Sequence, residues 1–304
     1  VVLKAMSDEP IQFHNRYTGE LETENVYGGE WLQRIYGNPL GKLALHAFVK
    51  RAFFSRWYGR KMDGSASRNK VAWFIEKFNI DVSEFADSPD HYATFNQFFY
   101  RKLKPEARPI AAGDDVAVFP ADGRHLGFQN IAEMDGVFVK GQTFDIAELL
   151  GDADLAANYR EGSLILSRLC PVDYHRYHFP VAGKAGAPCL INGPLYSVNP
   201  IALKQNIRIF SENKRAICRI ESERFGTVLM LEIGATNVGA MEYTFAPDTA
   251  VAKGDEKGFF KFGGSSTILL FEKDRIRLDD DLIEHSRERR ELYARMGDRM
   301  GWTI

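Results

Sequence analysis

Residues 262–271 read Phe262-Gly263-Gly264-Ser265-Ser266-Thr267-Ile268-Leu269-Leu270-Phe271. A glycine–serine turn runs straight into an apolar segment of strand length. Working outward, the same kind of segment recurs from about residue 115. Val116–Phe119, Gly136–Lys140, Ser163–Leu166, Ala216–Glu221, Thr227–Ile233 and Thr267–Phe271 alternate or run apolar, with glycine between them. Upstream the pattern is helical. Residues 31–62 are broken into two helices by Pro39 and Gly41, and further helices are expected near Arg68–Phe78 and over Phe95–Leu103. Residues 1–30 are polar and irregular, with turn signals at Asn15-Arg16 and Gly28-Gly29. After Asp279-Asp280-Asp281 the charge-rich stretch 282–298 predicts a closing surface helix. The class is therefore α+β: N-terminal helices, a mostly antiparallel β core and a closing C-terminal helix.

The chain has 304 residues, 45% hydrophobic and 26% charged, with a formal net charge of -2. These are globular values with enough chain for a sizeable core, and the near-neutral balance gives no nucleic-acid footprint. Cys170, Cys189 and Cys218 are odd in number and widely spaced. That excludes a disulfide framework and any zinc-ligand spacing, and fits a reducing compartment. No apolar run approaches the roughly 20 residues that span a bilayer. The start, Val1-Val2-Leu3-Lys4, has no signal-peptide core.

Gly264-Ser265 is where chemistry enters. A glycine has no Cβ to shield its carbonyl and tolerates strained backbone. A serine hydroxyl attacking the carbonyl before it forms an ester, and elimination then leaves a ketone-bearing pyruvoyl end. Ser266 is the competing hydroxyl, but the carbonyl before it belongs to Ser265 and is more crowded. Two upstream segments carry the groups such a serine needs: Pro120-Ala121-Asp122-Gly123 and Asp173-Tyr174-His175-Arg176-Tyr177-His178. A histidine takes the hydroxyl proton and an aspartate holds its tautomer and charge. Zinc binding by His125, His175, His178 and Asp122 is the alternative. It leaves the glycine–serine turn unexplained, and no metal is expected.

These segments, taken with others in order, resemble the phosphatidylserine decarboxylase proenzymes, the shorter bacterial branch of that family. The resemblance also rests on Phe98-Phe99-Tyr100-Arg101-Lys102-Leu103-Lys104-Pro105, Arg108-Pro109-Ile110, Val139-Lys140-Gly141-Gln142, Ser197-Val198-Asn199-Pro200 and Gly234-Ala235-Thr236-Asn237-Val238-Gly239. It implies self-cleavage between Gly264 and Ser265 into a large and a small chain that stay together. Ser265 becomes the pyruvoyl cofactor, Asp122 and His178 serve the cleavage, and His175 handles substrate. It further implies decarboxylation of phosphatidylserine to phosphatidylethanolamine and carbon dioxide through a Schiff base, and a homodimer. A soluble amino acid as substrate, or a non-catalytic lipid-binding role, are the alternatives.

Residues 1–94 form the expected N-terminal helical membrane-docking region, and 95–304 the catalytic core. Within 31–62, Arg34, Lys42, Lys50, Arg51, Arg56, Arg60 and Lys61 are interleaved with Trp31, Trp57 and several phenylalanines, and there is no acidic residue. That suits an anionic membrane surface. The expected location is peripheral, on the cytoplasmic face of the membrane.

Overall fold

The apolar run after the glycine–serine turn is the strand Ser265–Phe271, buried along its whole length. It lies in the middle of a sheet in a computed structural model that describes residues 11–24, 59–134, 145–198, 200–203, 206, 208–235, 241–262 and 265–304. Gly263 and Gly264, the expected strand at 136–140, and Arg34, Lys42, Lys50, Arg51 and Arg56 lie outside the described residues.

Among the described residues the sheet has eleven strands. Its order is Thr249–Val251, Gly183–Ala185, Arg215–Ser222, Gly226–Ile233, Ser265–Phe271, Ser163–Leu169, Gly123–Phe128, Glu291–Ala294, Gln12–Asn15 and Leu21–Thr23, with Cys189–Ile191 also pairing with Arg215–Ser222. The pairs are antiparallel except that of Gln12–Asn15 with Glu291–Ala294. The β-rich α+β class is as expected. Successive side chains of a strand point to opposite faces. Ile268 and Leu270 accordingly enter one apolar cluster, while Leu269 and Phe271 enter another. Burial on both faces is why this run has no polar alternation.

Two three-stranded sheets cover the second face. One is Met241–Tyr243, Glu256–Phe260 and Arg176–His178; the other is Arg277–Leu278, Arg299–Trp302 and Val116–Val118. The first carries His178, and His175 immediately precedes its strand Arg176–His178.

A third cluster comes from the helical part. The helix Lys70–Phe78 buries Val71 and Phe74, three residues apart and so on one face. It ends at Asn79 in the left-handed region, φ 49°. Phe74 packs against Phe78, Phe95 and Phe98. Burying such a side chain contributes about 1.5–3 kcal/mol. The short helix Phe95–Phe99 is started by Thr94, whose side chain accepts from the Gln97 amide. It ends at Phe99, four residues earlier than expected, and Leu103 instead bridges to Phe85. Its Asn96 Oδ1 accepts the amide of Phe262 at 2.8 Å, so this helix grips the chain just before the glycines.

Two expectations are corrected. Residues 282–298 are not one helix. The helix is Asp280–Arg287, and a left-handed residue, Arg289 at φ 59°, ends it. The chain then forms Glu291–Ala294 and Arg299–Trp302, which complete two sheets. Nor is the start wholly irregular: Gln12–Asn15 and Leu21–Thr23 form a hairpin on the edge of the large sheet. Arg16 pins that hairpin to Asp281 at 2.6 Å and to Asp279 at 3.2 Å.

Candidate active site

Ser265 opens its strand opposite Leu169, and its side chain is fully buried. Its Oγ lies 3.4 Å from Nδ1 of His175. The other ring nitrogen of His175, Nε2, is 2.9 Å from the carbonyl oxygen of Cys170. A carbonyl only accepts, so Nε2 carries the proton and Nδ1 presents a lone pair to the serine hydroxyl. Burial, and then the charge of Arg101, hold the imidazole neutral by lowering its pKa to about 3. Phe99 stacks on the ring at 3.8 Å and 21°, which fixes its plane. The His175 carbonyl in turn accepts the Phe260 amide, tying the histidine to the strand that leads into the turn.

His178, three residues on, is turned elsewhere. Its Nδ1 is 2.9 Å from the Gly254 carbonyl and its Nε2 is 3.3 Å from the Tyr174 hydroxyl. Burial lowers its pKa, against a smaller opposing pull from Glu256 and Asp122. Its amide donates to the Pro120 carbonyl at 2.7 Å, so it sits on the Pro120–Gly123 turn.

Asp122 is buried and saturated with donors. Arg108 gives Nε at 2.9 Å and Nη2 at 2.6 Å, and the Met296 amide donates at 2.9 Å. Arg108 also reaches Glu84 at 3.0 Å. Gly123 is glycine because a Cβ there would stand 2.7 Å from the Arg168 carbonyl. That close approach lays the turn against the residue preceding Leu169, the partner of Ser265. Ser265, His175, His178 and Asp122 thus converge on one end of the large sheet. Among them the direct side-chain contact given by the geometry is Ser265 with His175. His125 is held apart by Ser167 Oγ at 2.9 Å and the Ala294 carbonyl at 3.1 Å.

The segment carrying the histidines is itself anchored by buried charge. Asp173 takes Arg124 Nη1 at 2.7 Å and the Cys170 amide at 2.6 Å. Arg176 reaches Glu256 at 2.7 Å and the Tyr100 carbonyl at 2.9 Å. Arg168 bridges Glu24 and Glu291, both at 2.5 Å. Arg101, Arg108 and Arg176 fall within the sequence motifs, which assign them no role, and Arg124 and Arg168 fall outside them. The signal was there in the arginines of the 98–110 segment. What each one meets is set by the fold.

Arg60 is exposed on helical residues 59–63. Among the described residues no helix is long and apolar enough to cross a membrane.

Residues 95–301 match the family model described as phosphatidylserine decarboxylase. The chain is also similar over nearly its full length to proteins named phosphatidylserine decarboxylase proenzyme. That of Fusobacterium nucleatum is 47% identical over 296 residues, covering 97% of this chain and 99% of the relative. That of Chlamydia muridarum is 46% identical, covering 97% and 98%. That of Clostridium perfringens is 42% identical over 291 residues, covering 96% and 99%.

Proposed function

The chain belongs to the phosphatidylserine decarboxylase family, and we propose that it is a self-processing enzyme that decarboxylates phosphatidylserine to phosphatidylethanolamine. The observation that carries the reading is the buried Ser265 hydroxyl facing the unprotonated nitrogen of a neutral histidine. In this reading Ser265 Oγ attacks the carbonyl of Gly264 and an ester replaces the peptide bond. Elimination frees the Gly264 carboxylate and leaves a dehydroalanine. Its hydrolysis releases ammonia and leaves the pyruvoyl ketone. Asp122 and His178, which share one turn, serve this cleavage.

The site suits the resulting group. Ser265 has no exposure to water, and His175 adjoins the residue that would become the pyruvoyl, whose Oγ leaves with the Gly264 carboxylate and whose Cα carries the ketone. When formed, the pyruvoyl group supplies a carbonyl that takes up the substrate amine and accepts electrons as carbon dioxide leaves. His175, held neutral and oriented by Phe99 and Cys170, moves a proton at that position during turnover. The buried apolar surroundings keep water from the reacting centre.

The basic segment 31–62, with residues 1–94 around it, docks the enzyme on the anionic membrane that holds its substrate. The protein acts as a peripheral membrane homodimer on the cytoplasmic face.

The test combines mass and activity. Purified protein should give two chains split at Gly264-Ser265, the smaller beginning with pyruvoyl. Borohydride added with phosphatidylserine should stop activity and add the reduced lipid amine to the small chain. A serine amino terminus, or turnover of free amino acids in preference to the lipid, would overturn the reading.

A further inference from the structure

We propose that Arg101 binds the headgroup phosphodiester of the substrate beside Ser265, an inference that rests on the function proposed above. The buried arginines around this site are otherwise paired. Arg108 meets Asp122 and Glu84, Arg124 meets Asp173, Arg168 meets Glu24 and Glu291, and Arg176 meets Glu256. Arg215 meets no carboxylate among the described residues, but all three of its guanidinium nitrogens donate to backbone carbonyls. Arg101 differs from all of them. It is 5% exposed, and among the described residues its Nε and Nη1 have no hydrogen-bond partner. Its Nη2 has only long contacts to the carbonyls of Val172 at 3.3 Å and Asp173 at 3.5 Å.

A buried cation without an anion is costly, and natural structures keep such a group where a partner arrives later. The flanking groups do not replace that partner. The rings of Phe85 and Phe98 lie 4.9 and 5.1 Å from the guanidinium carbon and shield it from water. Burial draws its pKa down only to about 10, so it stays charged at neutral pH.

Its position is at the reacting centre. The carbonyls it touches come two and three residues before His175. Phe98, over which it lies, precedes Phe99, the residue stacked on His175. Its charge, after burial, helps to keep His175 neutral, and His175 meets Ser265.

The substrate brings two anions, and the chemistry separates them. The carboxylate gives up its charge as carbon dioxide leaves. A cation bound there would stabilise the ground state more than the transition state and slow the reaction. The phosphodiester keeps its charge in substrate, transition state and product. A fixed, water-shielded arginine holds it throughout, which lowers KM and leaves kcat largely alone.

The experiment uses the mature enzyme in detergent-dispersed phosphatidylserine. Arg101→Met should still split into two chains. Its KM should rise about ten- to hundredfold, as for loss of a charged hydrogen bond, with kcat within about threefold. Arg101→Lys should recover much of the KM. Glycerophosphoethanolamine, which carries the phosphodiester, should inhibit wild type at least about tenfold better than ethanolamine, and Arg101→Met should erase that difference. An unchanged KM, or a fall in kcat alone, would overturn the assignment in favour of carboxylate handling or of positioning through residues 172 and 173. Inorganic phosphate inhibiting as well as glycerophosphoethanolamine would overturn it in favour of a free-phosphate site. Should both variants fail to mature, the wild-type comparison decides, because equal inhibition by the two amines sinks the proposal. A protein with no phosphatidylserine turnover at all would refute the proposed function instead.

Discussion

Lys257 and Glu232 form an ion pair in which neither side chain is exposed to solvent. Tyr243 completes it by donating to the other Glu232 oxygen at 3.1 Å. The pair joins two sheets. Glu232 stands opposite Thr267 in the large sheet, two residues from Ser265. Lys257 sits at an irregularity in the pairing of Glu256–Phe260 with Arg176–His178, where the register shifts. The other end of the same strand holds the His175 carbonyl through Phe260. One buried charge pair therefore sets the histidine-bearing sheet against the serine-bearing strand.

Removing one partner should cost more than removing both. Lys257→Met leaves a buried carboxylate unpaired and should lose about 3–5 kcal/mol, whereas Lys257→Met with Glu232→Leu should recover most of it. Urea denaturation in a Ser265→Ala background keeps one intact chain and so one transition. A loss in the single variant below about 1 kcal/mol would show that the pair is not bearing on stability.

Wild-type protein should run as two fragments on a denaturing gel, and Ser265→Ala as one. The attacking oxygen is the only group removed, and Ser266 points to the opposite face of the sheet, into the other cluster. Ser265→Ala protein that still splits between 264 and 265 would end the assignment.

The two histidines should separate. His178→Ala and Asp122→Asn should block or greatly slow cleavage, while His175→Ala should be cleaved but decarboxylate poorly. The contact between His175 and Ser265 gives this comparison its edge. The histidine nearest the hydroxyl is here assigned to turnover, which takes place on the residue that has lost that hydroxyl and become the pyruvoyl. If His175→Ala stays intact and His178→Ala matures, the roles are exchanged.

The strands that hold the site were readable because burial on both faces leaves continuous apolar runs, as in Ile268–Phe271 and Val228–Leu231. The two ends of the chain were not. Gln12–Asn15 is four residues long, and its strand partner Glu291–Ala294 lies far along the chain, so no local pattern marks it. Glu291–Ala294 alternates in burial, but Arg289, Arg290 and Glu291 hide this behind a charge density that reads as a surface helix. Arg289 takes a left-handed conformation usually left to glycine or asparagine, so the helix stop was also silent. At the site, Ser265, His175, His178 and Asp122 could be named from order alone. That among the described residues Arg101 lacks a carboxylate while Arg108, Arg124 and Arg168 have one is a property of packing, which the sequence does not carry.

Charge reversal of Lys50, Arg51, Arg56 and Arg60 to glutamate should weaken binding to phosphatidylserine-containing vesicles. Each basic residue near an anionic surface is worth about 1 kcal/mol, so the loss should be largest at low salt. Turnover of detergent-dispersed short-chain substrate should fall much less. Equal losses in both assays would mean that the segment supports the fold, and unchanged vesicle binding would mean that another surface docks.

Stability should fall as the medium is acidified from neutrality through the range where the histidines of the unfolded chain take up protons. Burial lowers the pKa of His125 and His175 to about 3, and that of His178 in the same direction. In the unfolded chain each titrates near 6.5. Between about 3 and 6.5 the unfolded state therefore binds protons that the folded state refuses, and stability rises with pH across that window. The contribution is fully present above about 6.5 and is lost as pH drops toward the folded values. Each fully neutral histidine is worth on the order of 1 kcal/mol per pH unit in that range. Glu24, held down to about 2 chiefly by Arg168 against its own burial, adds a loss of the same sign only below about 4.5. Ser265→Ala protein should thus be on the order of 3 kcal/mol less stable at pH 5.5 than at pH 7.5 in urea. His125→Gln, compared with its own stability at pH 7.5, should remove about half of that slope. Equal stability at the two pH values would mean that these histidines accept protons in the folded protein, and the neutral, lone-pair-bearing His175 that faces Ser265 would then be lost with them.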